Sequence, residues 1–317
     1  MPNVSVIIPT HNRSSLIAGA IDSVYNQTEQ DFEIIVVDDG SADDTPIIMD
    51  KLQKQDKSGR LKYFRLDRPH GANFARNYGI ERATGEFIAF LDDDDRWRPN
   101  KLESQLVVFE SDKSIGLVYT GKEMIYEELG LNYCSTSRKQ GDMSRDILIG
   151  NFIGSTSSVM IRNYVLDKSG MFDIDLPAKQ DYDLWIRICQ SYKVGVVPKP
   201  LVLYYIRNIN RISSDLDKRR RAESIINEKY KELTDSLVLS NQEKSDIELR
   251  KLLYELKFLK ESGNSVVDVR RRLFGKIVSK HMLRVLFILT VSYIPLKYWI
   301  RFKSFQQKMG SSSKPLA

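Results

Sequence analysis

EFIAFLDDDD, Glu86–Asp95, passes from apolar residues directly into four consecutive carboxylates. EFIAFL, Glu86–Leu91, has the composition of a buried strand. Like charges this close repel one another and resist burial. A core strand ending in such a run is expected to open onto an edge where something neutralises the charge. An isolated acidic run is usually a solvated turn, and Asp95, followed by Arg96, reads as one.

Similar apolar runs lie upstream. VSVII, Val4–Ile8, and FEIIVV, Phe32–Val37, read as buried strands, and LKYFRL reads as a third. Leu16, Ile17, Ala20, Ile21 and Val24 recur at helical spacing behind Ser14 or Ser15 as N-cap. Thr45-Pro46 opens a second helix, and ANFARNYGIERATG reads as a third that stops at Gly85. Strand and helix thus alternate, which predicts an α/β fold with a mostly parallel, Rossmann-like sheet flanked by helices. Ligands of such sheets bind outside the carboxyl ends of the strands. That edge would gather PTHN (Pro9–Asn12), DDGS (Asp38–Ser41) and the aspartate run. Farther on, KLESQLVVFE and KQDYDLWIRICQ read as helices, and IGLVYT, SSVMIR and VGVVP as strands.

Hard oxygen donors suit Mg²⁺ or Mn²⁺, which take one or two carboxylates and complete their shell with substrate phosphates. The spacing is not that of an EF-hand, and neither G-x-G-x-x-G nor a Walker A sequence occurs. Asp38 and Asp39 read either as turn caps or as acceptors for a nucleobase N–H or ribose hydroxyl. His11 is open between a loop residue and a stacking platform. Arg76 reaches a phosphate or ribose only if its helix start faces the sheet edge. Asp181 and Asp183 open a helix, where acidic residues complement the dipole or one serves as a general base. They project to different sides, and Asp181, one turn before Leu184 and Trp185, reads as the inward one.

Charge is unevenly spread. From Lys218 onward there are 22 Lys and Arg against 10 Asp and Glu, whereas the first 217 residues hold 26 against 32. This predicts an acidic body, residues 1–215, and a basic helical extension, residues 216–317. HMLRVLFILTVSYIPLKYWI, residues 281–300, is the most apolar stretch, but its uncharged core is too short to span a bilayer and contains Pro295. Basic flanks and the aromatics Tyr293, Tyr298 and Trp299 suit a helix lying on an anionic membrane surface. The expectation is peripheral attachment at the cytoplasmic face of the cell membrane. No nucleic-acid-binding pattern accompanies the basic tail. Two cysteines make no disulfide framework, and the N-terminus carries no signal-peptide pattern.

Five motifs together, VSVIIPTHNR, SVYNQT, DFEIIVVDDGSADDT, ARNYGIERATGEFIAFLDDDD and QDYDLWIRI, resemble in order and spacing the family-2 inverting glycosyltransferases. The resemblance covers about residues 2–210. It implies an A-type glycosyltransferase fold and transfer of a hexose from a nucleoside diphosphate sugar, UDP-linked. The acceptor it implies is a glycan or lipid-linked saccharide of cell-surface polysaccharide or glycoconjugate synthesis. Carried over by position, Pro9, Thr10, His11, Asn12 and Asp39 resemble base- and ribose-binding elements, and Arg76 a basic residue near the nucleotide. Asp92–Asp94 resemble the D-x-D element, with Asp92 and Asp94 on a Mn²⁺ or Mg²⁺ ion and Asp92 and Asp93 toward the nucleotide sugar. Asp181 resembles the catalytic base. Gln180 stands where members often have Glu, and Asn208 near where many have His. Two alternatives are transfer to polyprenyl phosphate and a non-catalytic nucleotide-sugar-binding protein.

Overall fold

The computed structural model describes residues 2–207, 215–261, 265–274 and 293–312. Residues 281–292 of the apolar stretch, and Asn208, lie outside the described residues.

The alternation read from the sequence is present as β1 (Val4–Thr10), α1 (Ser14–Tyr25), β2 (Phe32–Asp38), α2 (Thr45–Gln55), β3 (Leu61–Arg65), α3 (Ala72–Ile80) and β4 (Phe87–Phe90). The rest of the sheet comes from β5 (Arg96–Trp97), β6 (Ile115–Tyr126), β7 (Leu131–Ser135), β8 (Val159–Arg162) and β9 (Lys193–Ile206). Between these strands lie helices α4 (Lys101–Ser111), α5 (Ser144–Ile149), α6 (Val165–Ser169) and α7 (Gln180–Cys189). The strand order is β3-β2-β1-β4-β8-β6-β9-β5, with β7 beside β6. Strands β3, β2, β1 and β4 are parallel, whereas β8 runs antiparallel to both β4 and β6, and β5 antiparallel to β9. The parallel half is the half whose alternation the sequence displays.

Both faces of this parallel half are apolar, because helices cover both. On β2, Ile34 and Val36 join Val4, Val6 and Ile8 of β1 and Ile17, Ile21 and Val24 of α1. Ile35 and Val37 turn the other way, toward Ala75 of α3. The approach of α3 is close: a Cβ on Gly79 would stand 2.7 Å from the Ile7 side chain.

Local details depart from expectation where long-range partners intervene. Neither Ser14 nor Ser15 caps α1; Arg13 occupies that position. Instead, Thr45 Oγ1 and Asp43 Oδ2 accept the N–H groups of Arg13 and Ser14. Helix α3 ends at Ile80 rather than running to Gly85. Glu33 binds the N–H and hydroxyl of Thr84, and Ser5 Oγ accepts the Gly85 N–H, so the chain is drawn off toward β4.

Two compact units divide the chain, residues 1–124, 134–205 and 218–229 in one and residues 125–133, 206–217 and 230–317 in the other. The stretch Lys218–Lys229 groups with the first unit, although the shift to basic composition begins there. In the second unit α8 (Asn241–Glu261) packs Leu249, Leu252, Leu256 and Leu259 with Val269 of α9 (Val267–Phe274). Arg272 and Glu255 pair at 2.6 Å across those helices. In the last helix, Leu296–Ser312, Trp299 lies edge-on to Tyr133 rather than outward, while Tyr298, Phe302 and the preceding Tyr293 are exposed. Among the described residues no helix is long and apolar enough to cross a membrane.

Candidate active site

Thr10 and Asp38 are register partners at the carboxyl ends of β1 and β2. The loops beyond them are tied together. The Asp39 N–H donates to the Thr10 carbonyl at 2.8 Å, and His11 Nδ1 donates to the Asp39 carbonyl at 2.7 Å. Asn12 adopts φ +54°, left-handed for a non-glycine residue. Its N–H reaches Ser41 Oγ at 2.9 Å, and its Oδ1 accepts the Ala42 N–H at 2.8 Å. These bonds compensate the strained backbone. Asp38 is fully buried and holds Tyr63 Oη at 2.6 Å and the Ser41 N–H at 2.8 Å. Asp39 accepts the N–H groups of His70 and Gly71 at 2.7 and 2.8 Å, where α3 begins. A carboxylate offers about four acceptor positions, so Asp39 retains capacity for a further donor.

The four aspartates separate into different environments. Asp92 pairs with Arg76 Nη2 at 2.7 Å and accepts the Thr156 hydroxyl at 3.0 Å. Asp93 is buried and accepts the Thr10 hydroxyl at 2.7 Å. Asp94 is half-buried. Asp95, expected in a solvated turn, is instead completely buried and accepts the Ser157 hydroxyl at 2.7 Å. Ser157 Oγ also accepts the Asp92 N–H at 3.1 Å, so one serine holds both ends of the acidic turn. Its own carbonyl is fixed by Trp97 Nε1 at 2.8 Å.

Burial pushes the Asp93 carboxyl up to about 7, the charges of Asp94 and Asp92 push the same way, and the Thr10 hydroxyl and Arg13 oppose them. The folded state therefore holds this proton more tightly than the unfolded chain. Stability from this group should fall as pH rises from about 4 to about 7, by roughly 4 kcal/mol at most. Melting curves in EDTA should show this loss. Asp93→Asn should remove that component, and an unaltered pH dependence in the variant would reject the assignment.

Asp181 lies at the first turn of α7, where its Oδ1 accepts the Tyr182 N–H at 2.8 Å. The residue is only partly covered at its surface, yet its carboxyl is enclosed enough that desolvation raises its pKa. Arg76 and Lys122 oppose that rise, and Asp92 adds to it. Asp181 thus shares one electrostatic environment with Arg76 and Asp92. Asp183, expected to face away, is the fully buried member, paired with Arg187 at 2.8 Å and Lys229 at 2.9 Å. Helix α7 is covered on most sides, so both acidic residues meet protein.

Arg76 is itself buried, its guanidinium 5.5 Å from the ring of Phe172. Its Nε and Nη1 have no hydrogen-bond partner among the described residues. Buried N–H groups left unmatched are rare and call for a ligand. Among the described residues, no three His, Cys, Asp or Glu side chains converge as a complete metal cage. The donor set is still compatible with a Mg²⁺ or Mn²⁺ ion, since such ions need only one or two protein carboxylates when phosphates supply the rest. Asp92 and Asp94 are the carboxylates that would hold it.

Thr156, Ser157 and Lys122 escaped the reading of the sequence. GSTSSVMIR is rich in hydroxyls ahead of a strand. Only the antiparallel register of β8 with β4, Ala89 opposite Met160, brings Thr156 and Ser157 to the aspartates. Lys122 Nζ lies 4.7 Å from the ring of Tyr204. A shallow concavity lined by Asn3, Asp31, Thr84 and Glu86 lies at the opposite, amino end of the strands and takes no part in this constellation.

A family model described as Glycosyl transferase family 2 matches residues 5–169. A protein of Rickettsia bellii named as an uncharacterized glycosyltransferase is 32% identical over 235 residues, covering 71% of this chain and 31% of its own length. The GalNAc(5)-diNAcBac-PP-undecaprenol beta-1,3-glucosyltransferase of Campylobacter jejuni is 36% identical over 173 residues, 53% of this chain and 54% of that one. The chain thus spans about a third and about half of these two relatives. The mannosyltransferase PcManGT of Pyrobaculum calidifontis, solved with GDP-Man and Mn²⁺, superposes with a TM-score of 0.60 at 17% identity. That likeness covers 98% of this chain and 88% of PcManGT.

Proposed function

The chain belongs to family 2 of the glycosyltransferases, and from that membership we propose that it transfers a sugar, with inversion, from a nucleoside diphosphate sugar to a hydroxyl of a glycan or lipid-linked saccharide. The observation that carries this reading is that Arg76 and Asp92 pair at 2.7 Å beyond the carboxyl end of β4 and that the Asp181 carboxyl, on α7, feels the charges of both. A base, an anion-binding guanidinium and a hard-oxygen cation ligand are the parts that displacement of a diphosphate requires.

In this mechanism Asp181 takes the proton of the acceptor hydroxyl on Oδ2, because Oδ1 is occupied by the Tyr182 N–H. The acceptor oxygen forms its bond to the anomeric carbon as the bond to the diphosphate breaks on the opposite face, which inverts the configuration. Arg76 directs Nε and Nη1 to the diphosphate. A divalent cation held by Asp92 and Asp94 would supply charge stabilisation for the leaving group. Pro9–Asn12 and Asp39 receive the base and ribose, with Asp93 toward the ribose.

Thermal-shift titration of the full chain, with and without Mn²⁺, tests the donor. UDP and UDP-sugars are the first to try, and a nucleotide at 100 times its Kd should stabilise the fold by about 2.7 kcal/mol. No shift with any nucleoside diphosphate, together with no donor hydrolysis, would reject the reading.

A lipid-linked acceptor and peripheral attachment to the cytoplasmic face of the membrane are supported by the Campylobacter relative's name and by the basic tail. From Val269 onward there are 11 basic residues and no acidic one. In the last helix Lys297 and Arg301 flank exposed Tyr298 and Phe302. The full chain should co-sediment with phosphatidylglycerol vesicles at low salt, and Lys297→Glu with Arg301→Glu should weaken this about thirtyfold or more, at about 1 kcal/mol per basic residue. Equal sedimentation with phosphatidylcholine vesicles would exclude an electrostatic anchor.

A further inference from the structure

Arg76 carries a conflict that the transfer mechanism does not resolve. Its Nη2 holds Asp92 Oδ1 at 2.7 Å, and Asp92 is a carboxylate that the divalent cation needs. Its other two nitrogens are buried without partners among the described residues. We propose that Arg76 is an internal competitor of the divalent cation for Asp92: cation entry displaces the guanidinium, which then turns its fork to the donor diphosphate. The proposal rests on Asp92 being a cation ligand.

Three features of the surroundings support it. Arg76 is 7% exposed and its guanidinium lies over Phe172, so water does little to satisfy it when it leaves the carboxylate. A second anion must therefore be within its reach, and a planar fork suits a phosphate better than a point charge would. The scaffold is tied together by hydrogen bonds. Asn77 exchanges two hydrogen bonds with the backbone of Phe172, at 2.8 and 3.0 Å, and Asn73 donates to the Asp173 carbonyl at 2.7 Å. Helix α3 and the Phe172 segment thus hold the base of the side chain while its head moves. Finally, Asp92 has an independent support in Thr156, which keeps the carboxylate in place after the arginine departs.

The consequence is an order of binding. Cation affinity in the free protein is held below what the two carboxylates alone would give, and cation and diphosphate reinforce one another. Mn²⁺ binding to the full chain, read by electron paramagnetic resonance without any nucleotide, tests this directly. Arg76→Met should bind Mn²⁺ about tenfold or more tightly than the native chain, because a positive charge beside the ligand is gone. Arg76→Lys, which keeps the charge, should bind it as weakly as the native chain. Arg76→Gln provides a second neutral form if the methionine variant gives no cooperative melt. Equal or weaker Mn²⁺ binding in the neutral variants would overturn the competition and leave the cation site standing. Absence of Mn²⁺ binding in every form, even with UDP added, would overturn both.

Discussion

Asp181→Asn is expected to reduce transfer by roughly 10²–10⁴-fold, the range a positioned general base contributes. Asparagine keeps the shape of the side chain and its contact with the Tyr182 N–H, but it cannot take a proton from the acceptor. Nucleotide binding should persist, because the proposed donor contacts lie on β1, β2, α3 and the aspartate run. The native pH–rate profile should show an acidic limb above the ordinary carboxylate range. Burial raises the Asp181 pKa, against the pull of Arg76 and Lys122. Transfer falls as pH drops through that value, since only the ionised form acts as base. The readouts are single-turnover transfer from a radiolabelled donor and nucleotide binding by calorimetry. A variant that works at the native rate would shift the acceptor from a hydroxyl to a phosphate such as polyprenyl phosphate, which needs little base assistance.

Asp94→Ala should remove Mn²⁺-dependent nucleotide binding and cut transfer to the level of the native enzyme in EDTA. Loss of one electrostatic stabiliser of a leaving group commonly costs about 10²–10³ in rate. Asp95→Ala provides the contrast within the same run. Asp95 is completely buried and accepts the Ser157 hydroxyl, so its loss should destabilise the fold by about 1–3 kcal/mol. Its effect on Mn²⁺ affinity should be smaller than that of Asp94. Denaturant unfolding and Mn²⁺ titration of the two variants separate the roles. Equal Mn²⁺ affinity in Asp94→Ala and the native chain would remove Asp94 from the cation site.

The parallel half of the sheet was legible because each of its elements is decided locally. Val4–Ile8 and Phe32–Val37 are buried throughout and apolar apart from Ser5 and Glu33, and α1 repeats its apolar residues at helical spacing. The antiparallel half was harder. Arg96–Trp97, a two-residue strand, has no period to detect, and its pairing with Leu203 and Val202 joins residues over a hundred positions apart. The same limit applied to caps. Serine at the start of α1 suggested a side-chain cap, yet Thr45 and Asp43 supply the acceptors.

Composition and order alone determined the α/β class and the edge on which polar loops gather, whereas the choice among PTHN, Asp39, Arg76, the aspartate run and Asp181 as site residues came from the resemblance of their motifs to the family. The class and the edge follow from short-range rules: the side-chain period of strands and helices, and the place of ligands at strand ends. Tertiary structure decided how the four adjacent aspartates differ. Asp92 meets Arg76 and Thr156, Asp93 meets Thr10, and Asp95 meets Ser157. None of these partners is within fifteen positions of its aspartate, and a carboxylate's protonation and burial depend on partners and solvent access rather than on chain neighbours. Identical residues in a row thus have separate fates, because the strand end that carries them is met from different sides by β1, α3 and the segment ahead of β8.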